Sequence, residues 1–240
     1  MNIIKKYILN RKFFRRAFVI FALLFLLLAF LTYYGQNAGN FVMSIDDEGY
    51  RRGLILSEKQ DFSVISQWLS ADPVEDVMDT TYGILNIGEA IKTDGSYSDS
   101  VKYLAYTFYV KNTGKENTML FYNMQITDES KDLSKAIRVL VVTDGVVVEK
   151  DEISEIEYDT FRMYMAPDEV EYIYPNYMPE STHFVDNDTI CVEKIDNLRP
   201  EQTKRFTVLM WLEGEDPECV DKLFGSKIKI EMNFSVEEFE

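Results

Sequence analysis

The chain has 240 residues, 46% hydrophobic and 28% charged, which suits one sizeable folded domain or two small ones and excludes a disordered chain. The formal net charge is −16, unevenly placed: residues 1–45 hold no acid but six of the 25 basic residues, so the remaining 19 face all 41 acids, a balance of −22. A surface so acidic repels phosphate backbones and disfavours nucleic-acid binding.

In chain order, the basic residues Lys5, Lys6, Arg11, Lys12, Arg15 and Arg16 come first, then the apolar run Ala17–Leu31, extended by Thr32, Tyr33 and Tyr34. A helix over 17–34 spans roughly 27 Å at ~1.5 Å per residue, enough for a bilayer core. The positive-inside rule predicts a cytoplasmic 1–16, a single-pass signal-anchor helix over 17–34 and an extracytoplasmic domain over 35–240. The competing reading is a cleaved signal peptide, for which Gln36 and Ala38 offer only a poor cleavage pair.

Beyond the helix the pattern alternates. "GNFVMSI" (39–45) and "RGLILS" (52–57) read as short strands, and "DFSVISQWLSA" (61–71) as one to three helical turns stopped before Pro73. "PVEDVMDTTYG" (73–83) reads as a further turn or loop. "YLAYTFYVKN" (103–112) and "MLFYNMQI" (119–126) are strands joined by "NTGKEN". "AIRVLVVTDGVVVEK" (136–150) reads as two strands folded into a tight hairpin at Asp144-Gly145. Residues 163–189 carry three prolines and no clean period, and form a long loop or a short edge hairpin. "KRFTVLMWLE" (204–213) is apolar on both faces, as expected of a strand inside a sheet, and "KIKIEMNFSV" (227–236) alternates strictly. The expectation is a mainly β, antiparallel β-sandwich, Ig-like or jelly-roll-like, behind one transmembrane helix.

Candidate chemistry is sparse. "WLEGEDPEC" (211–219) packs four acids and a cysteine behind a strand. Asp216 suits a helix N-cap and Pro217 the first helical position. "ECVDKLF" then gives about two turns, closed by Gly225. The alternative is a Ca²⁺ site drawn from Glu213, Glu215, Asp216, Glu218 and Asp221, although the spacing matches no EF-hand loop. Cys191 and Cys219 are the only cysteines; they pair as a disulfide, or Cys191 is a small buried hydrophobe. A nucleophilic Cys219 is disfavoured by its acidic neighbours.

His183, the sole histidine, excludes an H-E-x-x-H zinc site, and there is no Gly-rich phosphate loop, so no metal and no cofactor is expected. The acids Asp46, Asp47 and Glu48 fit a solvated turn better than a glycosidase pair. Tyr164, Tyr172, Tyr174 and Tyr177 crowd the irregular segment. Exposed, they form a recognition surface, and the adjacent Asp168, Glu169 and Glu171 favour a basic partner. Buried, they seal the sheet edge.

"GNFVMSID", "YLAYTFYVKN", "AIRVLVVTDG" and "LRPEQTKRFTVLMWLEGEDPECVDKLFGSKIKIEMNFSV" together resemble, in the same order, an uncharacterised family of exported, N-terminally anchored single-span bacterial β-domain proteins of Gram-positive type. The "WLEGEDPEC" block is the most specific part of that resemblance, and "LRPEQ" departs from the Pro-Gly turn more usual there. More distantly, the helix, the early strand and "YTFYVKNTG" resemble the camelysin and biofilm-fibre β-sandwiches, a peptidase activity of which would need more than one histidine. No activity comes with that resemblance; taken with the expected anchor and the lack of a catalytic constellation, it points to a membrane-anchored cell-envelope protein that binds a protein or envelope-polymer partner without catalysis. The alternatives are a self-assembling fibre subunit that donates a strand, and a carboxylate-dependent wall hydrolase.

Overall fold

The computed structural model of the protein describes residues 14–29, 41–150, 153–168 and 173–237. The chain divides between Ala38 and Gly39 into two units. In the first, residues 14–29 form helix α1. At ~1.5 Å per residue these described helical residues cover roughly 24 Å. Among the described residues no helix is long and apolar enough to cross a membrane. The single-pass anchor, with a cytoplasmic N-terminus and an external domain, is thereby overturned. Residues 30–34, which the sequence reading added to the span, lie outside the described residues.

The second unit is mainly β. Its elements are β1 (Phe41–Ile45), α2 (Asp47–Arg51), β2 (Leu54–Ser57), β3 (Trp68–Ser70), α3 (Ile87–Lys92), β4 (Gly95–Ser96), β5 (Leu104–Asn112) and β6 (Thr118–Glu129). There follow β7 (Ile137–Thr143), β8 (Val146–Lys150), β9 (Ile153–Glu157), β10 (Thr160–Met165), β11 (Ser181–His183), β12 (Thr189–Leu198), β13 (Thr203–Leu212) and β14 (Ile228–Ser235). One sheet has the order β12-β6-β14-β1-β3. The other has the order β11-β10-β7-β13-β5-β2, with β4 also paired to β5. The strands β8 and β9 form a separate ribbon.

Period two decides which side of the second sheet each residue serves. Phe206 and Val208 of β13, Val139 and Val141 of β7, and Phe108 of β5 enter the main core, where they meet Phe41, Met43, Met232 and Phe234 of the first sheet. The intervening Leu209, Trp211, Leu140 and Val142 enter a smaller core on the far side, covered by Ile87, Ala90 and Ile91 of α3. Val147 of β8 and Ile156 of β9 also pack there. This is why β13 is apolar on both faces: the second sheet has a core on each side. Thr107 and Thr207 turn polar groups into this second layer; their hydroxyls pair at 2.9 Å, and Thr107 donates to the Ala90 carbonyl at 2.9 Å.

The sheets are mixed, in contrast to the expected antiparallel arrangement. The pair β1/β14 runs parallel, with Met43 opposite Met232, and so does β10/β11, with Tyr164 opposite Thr182. Parallel neighbours need a crossover of a dozen or more residues. The stretch between Met165 and Ser181 is long for that reason, and it is not a hairpin.

Two local expectations are corrected. Residues 61–71 are not helical: Leu56 and Ser66 exchange backbone hydrogen bonds of 3.0 Å, and β3 pairs antiparallel with β1. Strand pairing thus takes up the polar groups a helix would have used. Nor is Asp144-Gly145 a hairpin turn, because β7 is already flanked by β13 and β10 and leaves no edge for β8. Asp144 has φ 48. Its carboxylate accepts the Arg205 N–H at 2.9 Å and the Lys204 ammonium at 2.7 Å, so the chain is bent out of the sheet. Asp144→Ala is expected to cost about 1–3 kcal/mol, read by urea denaturation, because a half-buried N–H loses its acceptor and the left-handed backbone its best-suited side chain. Asp144→Asn should retain most of the stability, and equal losses in the two variants would contradict this account.

Candidate functional site

The concentration of buried charge lies where the connection after β13 meets β7. On β7, Arg138 stands opposite Trp211 of β13 on one side and Met165 of β10 on the other. It interrupts the apolar run "AIRVLVV" and is 0% exposed. A buried guanidinium must have partners, and two separate segments supply them. From the turn after β13, Asp216 Oδ2 lies 2.7 Å from Arg138 Nη1, both side chains fully buried. From the crossover after β10, Tyr174 Oη accepts from Arg138 Nη2 at 2.6 Å and donates to Asp168 Oδ1 at 3.0 Å. The Arg138 guanidinium also lies over the Tyr174 ring, 5.0 Å from its centroid.

The turn is folded onto itself. Asp216 Oδ1 accepts the Glu218 N–H at 2.8 Å, and the Cys219 N–H donates to the Asp216 carbonyl at 2.9 Å. Glu213, also buried, accepts the Trp211 indole N–H at 2.8 Å and the Glu215 N–H at 3.2 Å. Thr80 donates its N–H to the Leu212 carbonyl and accepts from the Gly214 N–H, so the 71–81 stretch flanks the turn.

This geometry corrects the helical reading of 217–224. Asp216 caps a local turn, and the helical element between β13 and β14 is a 3-10 turn at Asp221–Leu223, whose N-cap Val220 makes no side-chain hydrogen bond. Gly225, at φ 71, does close that turn. Asp216 is buried against a cation instead of exposed at a helix end, so one carboxylate oxygen faces Arg138 and the other caps the local turn.

Burial pushes the Asp216 carboxyl up to about 6, and the neighbouring Glu218 carboxyl adds to the rise, while Arg138 pulls the other way. The same burial raises the Tyr174 hydroxyl. Cys219, half-buried beside Asp79, Asp216 and Glu213, is pushed up to about 11, which holds it as a thiol.

Of the five carboxyls considered for Ca²⁺, the structure brings two together, Asp216 and Glu218, and joins them to Asp168, with one oxygen from each within 4.8 Å of the others. Glu213 is turned to Trp211, and Asp221 starts the 3-10 turn. The positive charge in contact with Asp216 is the Arg138 guanidinium, so the group is arranged as a salt-bridge network.

Cys191 and Cys219 are both free and are not brought together: Cys191 lies in the main core, whereas Cys219 is in the turn. Burial pushes the Cys191 thiol up to about 12. Of the four tyrosines, Tyr164 is a core residue whose hydroxyl donates to Glu193 Oε1 at 3.0 Å. Tyr174 is the anchor on Arg138, and Tyr177 is 51% exposed with its hydroxyl 3.3 Å from Thr81 Oγ1. Tyr172, Glu169 and Glu171 lie outside the described residues. His183 is exposed on β11. Asp46 caps α2 by accepting the Gly49 N–H at 2.8 Å, while Glu48 pairs with Arg52.

Sequence reasoning missed Arg138. Its signal was nonetheless present: a lone cation within a strand that is apolar on both faces has to be paired inside. No family model, no curated protein and no solved structure matches this chain. The fold and the site define a mainly β protein with two loops pinned to one buried arginine.

Proposed function

We propose that the β unit is a non-enzymatic binding module whose contact surface is the crossover between β10 and β11. One observation carries this reading. The crossover is held from beneath by Tyr174 on Arg138, while its neighbours Ile173 and Tyr177 are 89% and 51% exposed. A loop fixed at its base by a rigid sheet, with apolar and aromatic groups facing outward, is suited to recognition at low entropic cost. The partner is a protein or polymer of basic character, since residues 46–240 carry the whole acid excess.

The architecture is proposed to be a β-sandwich, supported by the main core shared between the two sheets. The parallel pairs β1/β14 and β10/β11 set it apart from an all-antiparallel Ig-like or jelly-roll arrangement. A second reading, strand addition between molecules, is favoured by the edge position of β3 beside exposed Val64, Ile65 and Trp68.

The test is crosslinking of the full-length protein in its native setting, comparing wild type with the double variant Ile173→Ser/Tyr177→Ser. The expected result is loss of at least tenfold in partner capture, about 1.4 kcal/mol, with an unchanged melting temperature. Capture at wild-type level by the double variant would remove this segment as the contact surface. Loss of capture on Trp68→Ser instead would favour strand addition.

A further inference from the structure

We infer that Asp216 and Glu218 form a proton-sharing dyad that latches both loops to Arg138 when it holds one proton and slackens them when that proton leaves. The geometry supplies the reason. Among the described residues, three carboxyls, those of Asp168, Asp216 and Glu218, gather within 4.8 Å of one another around a single guanidinium. With every carboxyl ionised, the cluster carries more negative charge than Arg138 balances, in a setting where Asp216 is withdrawn from water. One proton held between Asp216 and Glu218 leaves the dyad a single negative charge and lowers the cluster's excess over the guanidinium from two charges to one. The carboxyl–carboxylate hydrogen bond also draws the turn closed, as in other paired acids that cannot both ionise at close range.

The groups facing the dyad are drawn from every element packed on it. β7 contributes Arg138. The β10–β11 crossover contributes Asp168 and Tyr174. The turn itself contributes Glu213, Glu215 and Cys219, and the stretch before Thr80 contributes Asp79, which lies beside Gly214 and Cys219. All but Arg138 are acids or neutral at rest, so the surroundings favour retention of the proton. The upward displacement of Asp216 agrees in direction. Because its folded pKa exceeds its unfolded one, the stability it contributes is fully present below the unfolded value of about 4. That contribution is lost as pH rises through about 6.

Both loops are tied to the same arginine, one through Asp216 and the other through Tyr174. Losing the proton therefore slackens the two together, even though they are far apart in the chain. The inference does not depend on what the crossover binds.

The experiment is amide hydrogen exchange of the full-length protein in EDTA-containing buffer from pH 5 to pH 8, with rates corrected for intrinsic pH dependence. Protection in 173–180 and 213–220 is expected to fall together by about tenfold, the equilibrium factor of one pKa unit, while the amides of β13 stay constant. Glu218→Gln keeps the Arg138–Asp216 pair and should weaken the dependence, since the burial of Asp216 remains; Asp216→Asn, if it folds, should abolish it. A pH-independent wild type, loops that respond separately, or a Glu218→Gln variant that responds as wild type would each overturn the latch.

Discussion

Arg138→Met is expected to lower the unfolding free energy by about 3–5 kcal/mol at pH 7.5, the usual cost of leaving a buried ion-pair partner behind. The loss is large because one side chain serves three positions at once. It balances Asp216, orders Tyr174 by hydrogen bond and ring contact, and lies between Trp211 and Met165 in the sheet. Methionine fills much of the volume but leaves Asp216 ionised in an apolar setting. The double variant Arg138→Met/Asp216→Asn should recover part of the loss, since the orphaned charge is then absent. Urea denaturation followed by tryptophan fluorescence reads both, with Trp211 beside the site. A single variant within about 1 kcal/mol of wild type would mean that the network is incidental to stability.

Phe206→Ala is expected to cost about 3–5 kcal/mol, through lost burial and the cavity left behind. Phe206 is fully buried and stacks on Phe108 at 5.4 Å within its own sheet. Across the core it meets Tyr122 edge-on at 5.4 Å and Phe234 at 5.2 Å, both from the opposite sheet. Truncation therefore removes two ring contacts that join the sheets, beyond the area of one ring. Thermal unfolding should remain a single transition at a lower temperature. A loss below about 1 kcal/mol would show that the neighbouring rings refill the space.

Elements whose side chains alternate were legible in the sequence because burial imposes period two directly. β14 alternates cleanly, and β13 carries apolar residues on both faces because each face meets a core. What resisted reading was anything decided by a distant partner. Asp216 has the local chemistry of a helix cap, and only Arg138, far back in the chain, diverts it. Asp144-Gly145 has the local chemistry of a hairpin, but β10 and β13 already occupy both sides of β7. The four tyrosines looked alike in sequence, and the three described ones, Tyr164, Tyr174 and Tyr177, separate into a core residue, an anchor and an exposed ring only in the folded chain. The apolar N-terminal run was legible as a helix. Among the described residues, however, no helix is long and apolar enough to cross a membrane.

The pairing of β14 between β6 and β1 has a consequence for the birth of the molecule. β14 is the last strand of the β unit, yet it is the middle strand of its sheet. On a ribosome adding ~5–20 residues per second, β1 emerges roughly 10–40 s before residues 228–235 exist to pair with it. Throughout that interval Phe41, Met43 and Ile45 lack their covering strand, and β1 and β6 each present an open edge to any extended chain nearby. The nascent protein therefore completes this sheet only once residues 228–235 have emerged. A chaperone that shields extended apolar segments, or low local concentration, would govern its yield far more than the stability of the finished fold.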